Sequence, residues 1–158
     1  MLENHLHYDN LVIIGIQPRG IFFSDRIVQQ INEQIKPAKI TYGKLDNTFY
    51  RDDVRQGLHT LNQTDMLFSV ENKTVILVDD VLYTGRTIRA ALDALFDHGR
   101  PKSVQLLVLI DRGHRELPIE ARFIGRTIPT SRREIIEVKL NEIDGEEQVI
   151  LVELTDQA

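Results

Sequence analysis

The sequence predicts an α/β protein with a central, mostly parallel sheet flanked by helices. Apolar runs recur at residues 11–16, 75–78 and 104–110, the last holding Gln105, and the continuous run 11–16 reads as a strand covered on both faces. Between strands lie about 20 residues of helix and loop, the spacing of parallel strands joined by right-handed crossovers. Three of the runs end in unusual polar chemistry: Pro18-Arg19-Gly20, Asp79-Asp80 and Asp111-Arg112-Gly113. Ligands of open parallel sheets bind outside the carboxyl ends of the strands, so neighbouring strands would bring these three loops to one cleft.

The 158 residues make a single domain, 1–158. A chain of this length buries roughly 70% of its extended surface, enough to be stable without a metal or disulfide. Cysteine is absent, which excludes thiol catalysis and disulfides and fits a reducing compartment. No run of 18 apolar residues is present, and Met1-Leu2-Glu3-Asn4-His5 does not open a signal peptide, so a cytoplasmic protein without a membrane partner is expected. The net charge of -5 is unevenly spread: residues 111–133 carry six arginines against three acids, whereas residues 134–158 carry one lysine against eight acids. An acidic total argues against bulk nucleic-acid binding, but a local arginine patch still suits phosphates.

In order along the chain, residues 11–16 form the first strand. Gln17-Pro18-Arg19-Gly20 interrupts it, and Ile21, Ile27, Val28 and Ile31 follow at helical spacing, stopped by Pro37. Residues 39–45 resemble a second strand. Residues 46–70 are polar and aperiodic, which predicts a flexible loop or hairpin arm. Residues 75–78 form the third strand. Thr84 or Thr87 is expected to cap a helix running through Ile88, Ala91, Leu92, Leu95 and Phe96, with Gly99 and Pro101 at its end. Residues 104–110 form a fourth strand, and residues 112–118 a polar loop. Shorter strands are expected at 121–125, 135–140 and 148–154, the last two joined by a turn around Asp144-Gly145.

Asp79 and Asp80 stand where a buried strand ends. Buried carboxylates are costly unless paired or hydrogen-bonded, so two together point to a divalent metal or to a diol such as ribose. Neighbours on a strand face opposite sides, and the twist into the loop is expected to aim both upward. In Thr84-Gly85-Arg86-Thr87 the glycine opens backbone geometry closed to other residues, so consecutive amides and two hydroxyls can surround a phosphate at a helix start. Gly20 is expected to let the backbone approach a second phosphate closely, with Arg19 to neutralise it. Neither the ATPase phosphate loop nor a GxGxxG turn is present.

The 13 residues Val75-Ile76-Leu77-Val78-Asp79-Asp80-Val81-Leu82-Tyr83-Thr84-Gly85-Arg86-Thr87 resemble the signature of the type I phosphoribosyltransferases. Together with Tyr50-Arg51-Asp52-Asp53, Gly99-Arg100-Pro101, Asp111-Arg112-Gly113-His114-Arg115-Glu116-Leu117-Pro118 and Ile128-Pro129-Thr130-Ser131, the match resembles the family of bacterial pyrimidine operon attenuation regulators that also act as uracil phosphoribosyltransferases. It spans about residues 11–154, and its 111–118 block is the most specific part. The resemblance implies the type I fold with a small hood, the hood and basic segment lying at 111–133. It implies that Arg19, Asp79 and Asp80 carry the catalysis. It implies also that Asp79, Asp80, Val81, Leu82, Tyr83, Thr84, Gly85, Arg86 and Thr87 hold the ribose and 5-phosphate of phosphoribosyl pyrophosphate (PRPP). Pro18, Arg19 and Gly20 would form the pyrophosphate loop, and Tyr50, Arg51, Asp52 and Asp53 part of a closing loop. Asp111, Arg112, Gly113 and Leu117 would flank uracil, and His114, Arg115, Arg132 and Arg133 would meet RNA.

Mg²⁺ is expected to ride on PRPP or pyrophosphate, with no all-protein metal site. The partners implied are PRPP, uracil, UMP or UTP, a pyrimidine-operon mRNA leader, and further copies of the chain in a homodimer or larger assembly. Two features depart from the family pattern. Pro18 stands where threonine is usual, and the given sequence begins near its first strand, so either it is truncated before the usual N-terminal helix or this member lacks that helix. Other readings open at this level are a uracil phosphoribosyltransferase without regulatory role, an RNA-binding nucleotide sensor with vestigial activity, and, more distantly, a purine or orotate enzyme.

Overall fold

Every residue of the strand Leu11–Ile16 (β1) is buried, because its alternate side chains feed two different hydrophobic layers. Leu11 and Ile13 pack with Ile76, Val78, Val28 and Ile31 under the helix Arg19–Gln34 (α1). Val12, Ile14 and Ile16 pack with Val75, Leu77, Ile88, Ala91 and Leu95 under the helix Arg86–Phe96 (α2). The computed structural model describes residues 8–48 and 65–155, so Tyr50, Arg51, Asp52 and Asp53 lie outside the described residues.

The remaining strands are Thr41–Leu45 (β2), Thr74–Leu82 (β3), Ser103–Asp111 (β4), Phe123–Thr127 (β5), Glu134–Lys139 (β6) and Gln148–Glu153 (β7), with a short helix Asn141–Asp144 (α3) between the last two. Five of them form one sheet in the order β2-β1-β3-β4-β5, and every neighbouring pair is parallel. Because β2 lies on one side of β1 and β3 on the other, the order reverses between β1 and β3. That reversal opens a crevice at the carboxyl ends of these two strands.

Three expectations are corrected. The third strand does not stop at Val78. It runs to Leu82, because the ladder with β4 continues through Asp79↔Val108, Val81↔Ile110 and Leu82↔Asp111 after the side chains turn acidic. The strand expected at 121–125 lies at Phe123–Thr127 and joins the main sheet beside β4. As a result, segment 111–133 is not the hood. The hood is the antiparallel hairpin β6–α3–β7, whose Ile136, Val138 and Leu140 pack on Ile110, Phe22 and Val81 above the carboxyl edge of the sheet.

Candidate active site

The reversal point sets Arg19, the first residue of α1, beside the end of β3. Gly20 makes this close packing possible. A Cβ there would lie 2.5 Å from the Val78 carbonyl oxygen and 3.2 Å from the Asp79 Cα. The close approach expected toward an anion is therefore an approach to β3, and Gly20 is buried against that strand.

Asp79 and Asp80 do not both aim upward, because β3 continues through them and its alternation sends them to opposite faces. Asp79 is only 7% exposed, and its Oδ1 accepts the Asp80 amide at 2.9 Å. Asp80 is half-buried and its Oδ1 accepts the Val81 amide at 2.8 Å. With Arg19, Ile136, Glu137, Val138, Lys139 and Asp144 it lines a cavity of about 370 Å³. Arg19 is fixed from the hood: Nη1 donates to the Val138 carbonyl at 2.8 Å and to Asp144 Oδ2 at 2.9 Å. The hydrogen bond to Asp144 raises the Arg19 pKa above its ordinary value, and Asp80 adds attraction.

The turn after β3 is built around Gly85, which caps α2 at φ +92°. Neither threonine is the cap residue, although Thr84 Oγ1 accepts the Arg86 amide at 3.3 Å. A left-handed residue at this position favours glycine and swings the chain into the first turn of α2. The Thr84 carbonyl accepts the amides of Glu116 and Leu117 at 2.9 and 3.2 Å, and Arg86 Nε donates to Glu116 Oε2 at 2.9 Å. Asn47, 2% exposed and without a signal in the sequence, ties the end of β2 to the same turn through the Thr87 carbonyl at 3.0 Å.

The segment after β4 spends most of its polar groups on itself. Asp111 Oδ1 accepts the Gly113 amide at 3.0 Å, and Oδ2 accepts Arg115 Nη2 at 2.5 Å. Arg115 also donates to the Tyr83 and Ile119 carbonyls, each at 2.8 Å. It therefore braces the site from within and does not point to solvent. Arg112, 5% exposed, has its guanidinium 3.9 Å from the Tyr83 ring centroid and donates to Thr130 Oγ1, the Ser131 carbonyl and the Glu134 carbonyl. Gly113 and His114 both take left-handed backbone, at φ +79° and +64°, and the His114 Nε2 meets the Thr130 carbonyl. The side chains of Asp111 and Arg112 are committed to the frame, so what this loop offers a ligand is mainly backbone. Arg132 and Arg133 are exposed, with Arg132 3.7 Å from Glu116, the carboxylate that Arg86 also meets.

Among the described residues, no cluster of three or more histidine, aspartate or glutamate side chains is placed to hold a metal ion. Asp79 and Asp80 are hard oxygen donors, which suits an ion carried chiefly by substrate oxygens. No helix among the described residues is long and apolar enough to cross a membrane.

A parallel sheet with its reversal point flanked by an arginine, two acids and a glycine turn is the arrangement of a phosphoribosyl-transferring fold. The family model "Phosphoribosyl transferase domain" matches residues 1–143. Solved relatives include a hypoxanthine phosphoribosyltransferase from Staphylococcus aureus, 25% identical, covering 75% of this chain and 62% of its own, TM-score 0.57. Another is the hypoxanthine phosphoribosyltransferase of Trypanosoma cruzi, 17% identical, covering 96% of this chain and 82% of its own, TM-score 0.67, a likeness of fold alone. The curated "Bifunctional protein PyrR" of Clostridioides difficile is 53% identical over 97% of this chain and 87% of its own length, and that of Pelotomaculum thermopropionicum 49% over 99% and 87%. The chain belongs to the phosphoribosyltransferase family and, within it, to the PyrR group.

Proposed function

We propose that this protein transfers the phosphoribosyl group of PRPP to N1 of uracil, giving UMP and pyrophosphate. It also binds the leader of pyrimidine-operon mRNA in response to uridine nucleotides. What supports the reading is that Arg19 and Asp80 line one cavity at the reversal point of the sheet, with the 84–87 turn following β3, in a chain about half identical to PyrR proteins over nearly its whole length.

The reaction breaks the bond from ribose C1 to pyrophosphate and forms one to uracil N1. Positive charge grows on the ribose ring while negative charge grows on the leaving pyrophosphate. The Asp80 Oδ2, which has no protein partner among the described residues, accepts from the ribose hydroxyls. Asp79 fixes Asp80 from below through the Asp80 amide. The amides and hydroxyls of Thr84, Gly85, Arg86 and Thr87 hold the 5-phosphate at the start of α2. Arg19 takes the pyrophosphate charge as it develops. Backbone groups of Gly113 and its neighbours through Leu117 orient the base, on a frame held by Arg112 and Arg115. Mg²⁺, when bound, would neutralise charge on the pyrophosphate oxygens, and the Asp79 and Asp80 carboxylates are the hard oxygen donors that would help to hold it.

His114, Arg132 and Arg133 are assigned to RNA, and a homodimer or larger homo-oligomer in the cytoplasm is proposed. Substituting Asp80→Asn removes the negative acceptor and keeps the shape. It is expected to lower UMP formation from uracil and PRPP by roughly 100-fold or more with the thermal unfolding midpoint unchanged. Near-normal turnover defeats the site assignment. Filter retention of a pyrimidine-operon leader, strengthened by UMP, is the matching test of the second role, and no specific retention at moderate salt removes it.

A further inference from the structure

We propose that Asp144, at the tip of the hood, is a positioning residue that holds Arg19 in the orientation needed to grip pyrophosphate. The inference rests on the reading of Arg19 as the pyrophosphate-binding cation. Asp144 Oδ2 accepts the Leu140 amide at 2.8 Å and Arg19 Nη1 at 2.9 Å, and its Oδ1 faces Arg19 Nη2 at 3.4 Å. The second Nη1 hydrogen goes to the Val138 carbonyl. These contacts occupy the end of the guanidinium. Its side edge, made by Nε–H and the second Nη2 hydrogen, has no partner among the described residues. A guanidinium edge with two parallel N–H groups is the geometry that binds a phosphate oxygen pair.

Asp144 is itself firmly placed. It closes α3, Gly145 follows at φ +67°, and the Leu140 amide anchors its carboxylate. The hood thus orders a long side chain before substrate arrives, and PRPP need not immobilise it. The anion also enters beside Lys139, which lines the same cavity.

The test is steady-state kinetics of Asp144→Asn, with product inhibition by pyrophosphate. Asparagine can still accept from the Leu140 amide, so the turn is kept while the charged partner of Arg19 is lost. The expected result is a rise of roughly 3- to 10-fold in both the KM for PRPP and the inhibition constant of pyrophosphate. The KM for uracil should stay within about twofold while kcat falls with the weakened grip of Arg19 on the leaving pyrophosphate, a split between the two substrates that general loosening of the hood would not produce. Arg19→Lys keeps the charge but loses the fork, and is expected to show the same paired rise. Wild-type constants in Asp144→Asn, alongside lost PRPP binding in Arg19→Ala, overturn the proposal and leave the Arg19 assignment intact. Tighter PRPP binding in Asp144→Asn also overturns it, because Asp144 would then compete with the anion. Wild-type constants in Arg19→Ala remove the assignment itself and the proposal with it.

Discussion

Gly20 lacks a side chain because α1 and β3 leave no room for one. An added Cβ would strike backbone, which cannot swing aside as a side-chain tip can. Gly20→Ala is therefore expected to cost about 1–3 kcal/mol in urea unfolding and to move Arg19 off Asp80, raising the KM for PRPP as well. A purely local loss, with no change in PRPP affinity, would mean that α1 is not what aims Arg19. Arg115 shows a second way in which a single residue misleads. It is one of six arginines in a basic stretch, yet its guanidinium joins Asp111, Tyr83 and Ile119 inside the site. Arg112 is similar, buried under the Tyr83 ring. Sequence reports that an arginine is present. Only packing decides whether its charge faces water, because a long flexible stem reaches either way.

At the level of the element, the hood is held to α1 by charge as much as by its Ile136, Val138 and Leu140 face. Arg26 bridges Glu142 and Glu147 at 2.7 and 2.9 Å, and Arg19 bridges Asp144. Within the hood, Lys139 pairs with Glu146 at 2.5 Å. Hydrogen bonds from these cations hold the Glu142, Asp144 and Glu146 carboxyls below their ordinary range. A carboxyl whose pKa is depressed by folding contributes stability above its unfolded value, and that contribution is lost as pH falls through the folded value. Docking of the hood is thus expected to hold at neutral pH and to weaken as pH drops below about 4. Amide exchange in β6 and β7 should rise there before exchange in β1 or β3. Doubly substituted Glu142→Gln, Asp144→Asn protein should show a flatter acid limb in thermal unfolding. An equally steep limb would place the acid sensitivity elsewhere. Added salt should reproduce part of the effect, since the Arg26 pairs are exposed and screened.

The whole molecule divides its labour by surface. The carboxyl edge of the sheet carries the proposed transfer site, and the exposed arginines Arg122, Arg126, Arg132 and Arg133 follow β4 in the chain. Substituting Arg132 and Arg133 by alanine is expected to weaken leader RNA binding and to lower the slope of log K against log salt by about one for each phosphate no longer neutralised. Turnover should not change. Arg115→Gln is expected to depress both, because it disturbs the frame beneath the base. Equal loss of turnover in the Arg132, Arg133 variant would return those residues to the transfer site.

Much of this was legible in residue order. Strands β1 and β3 announce themselves because a strand buried on both faces must be apolar, β4 because its run of Leu106 to Ile110 is apolar, and the acid pair with its glycine turn marks the carboxyl edge. The end of β3 was not legible, since a ladder with β4 persists where side chains turn polar. Nor was the parting of Asp79 from Asp80, which the strand's alternation sends to two faces. The sequence by itself determined the sheet, its parallel connections and the chemical character of the cleft, because these follow from local hydrophobic pattern and short motifs. The tertiary structure alone decided which charged groups face one another. Arg19 and Asp144 are 125 residues apart and meet only because the hood folds back over the start of α1, a pairing that no local pattern encodes.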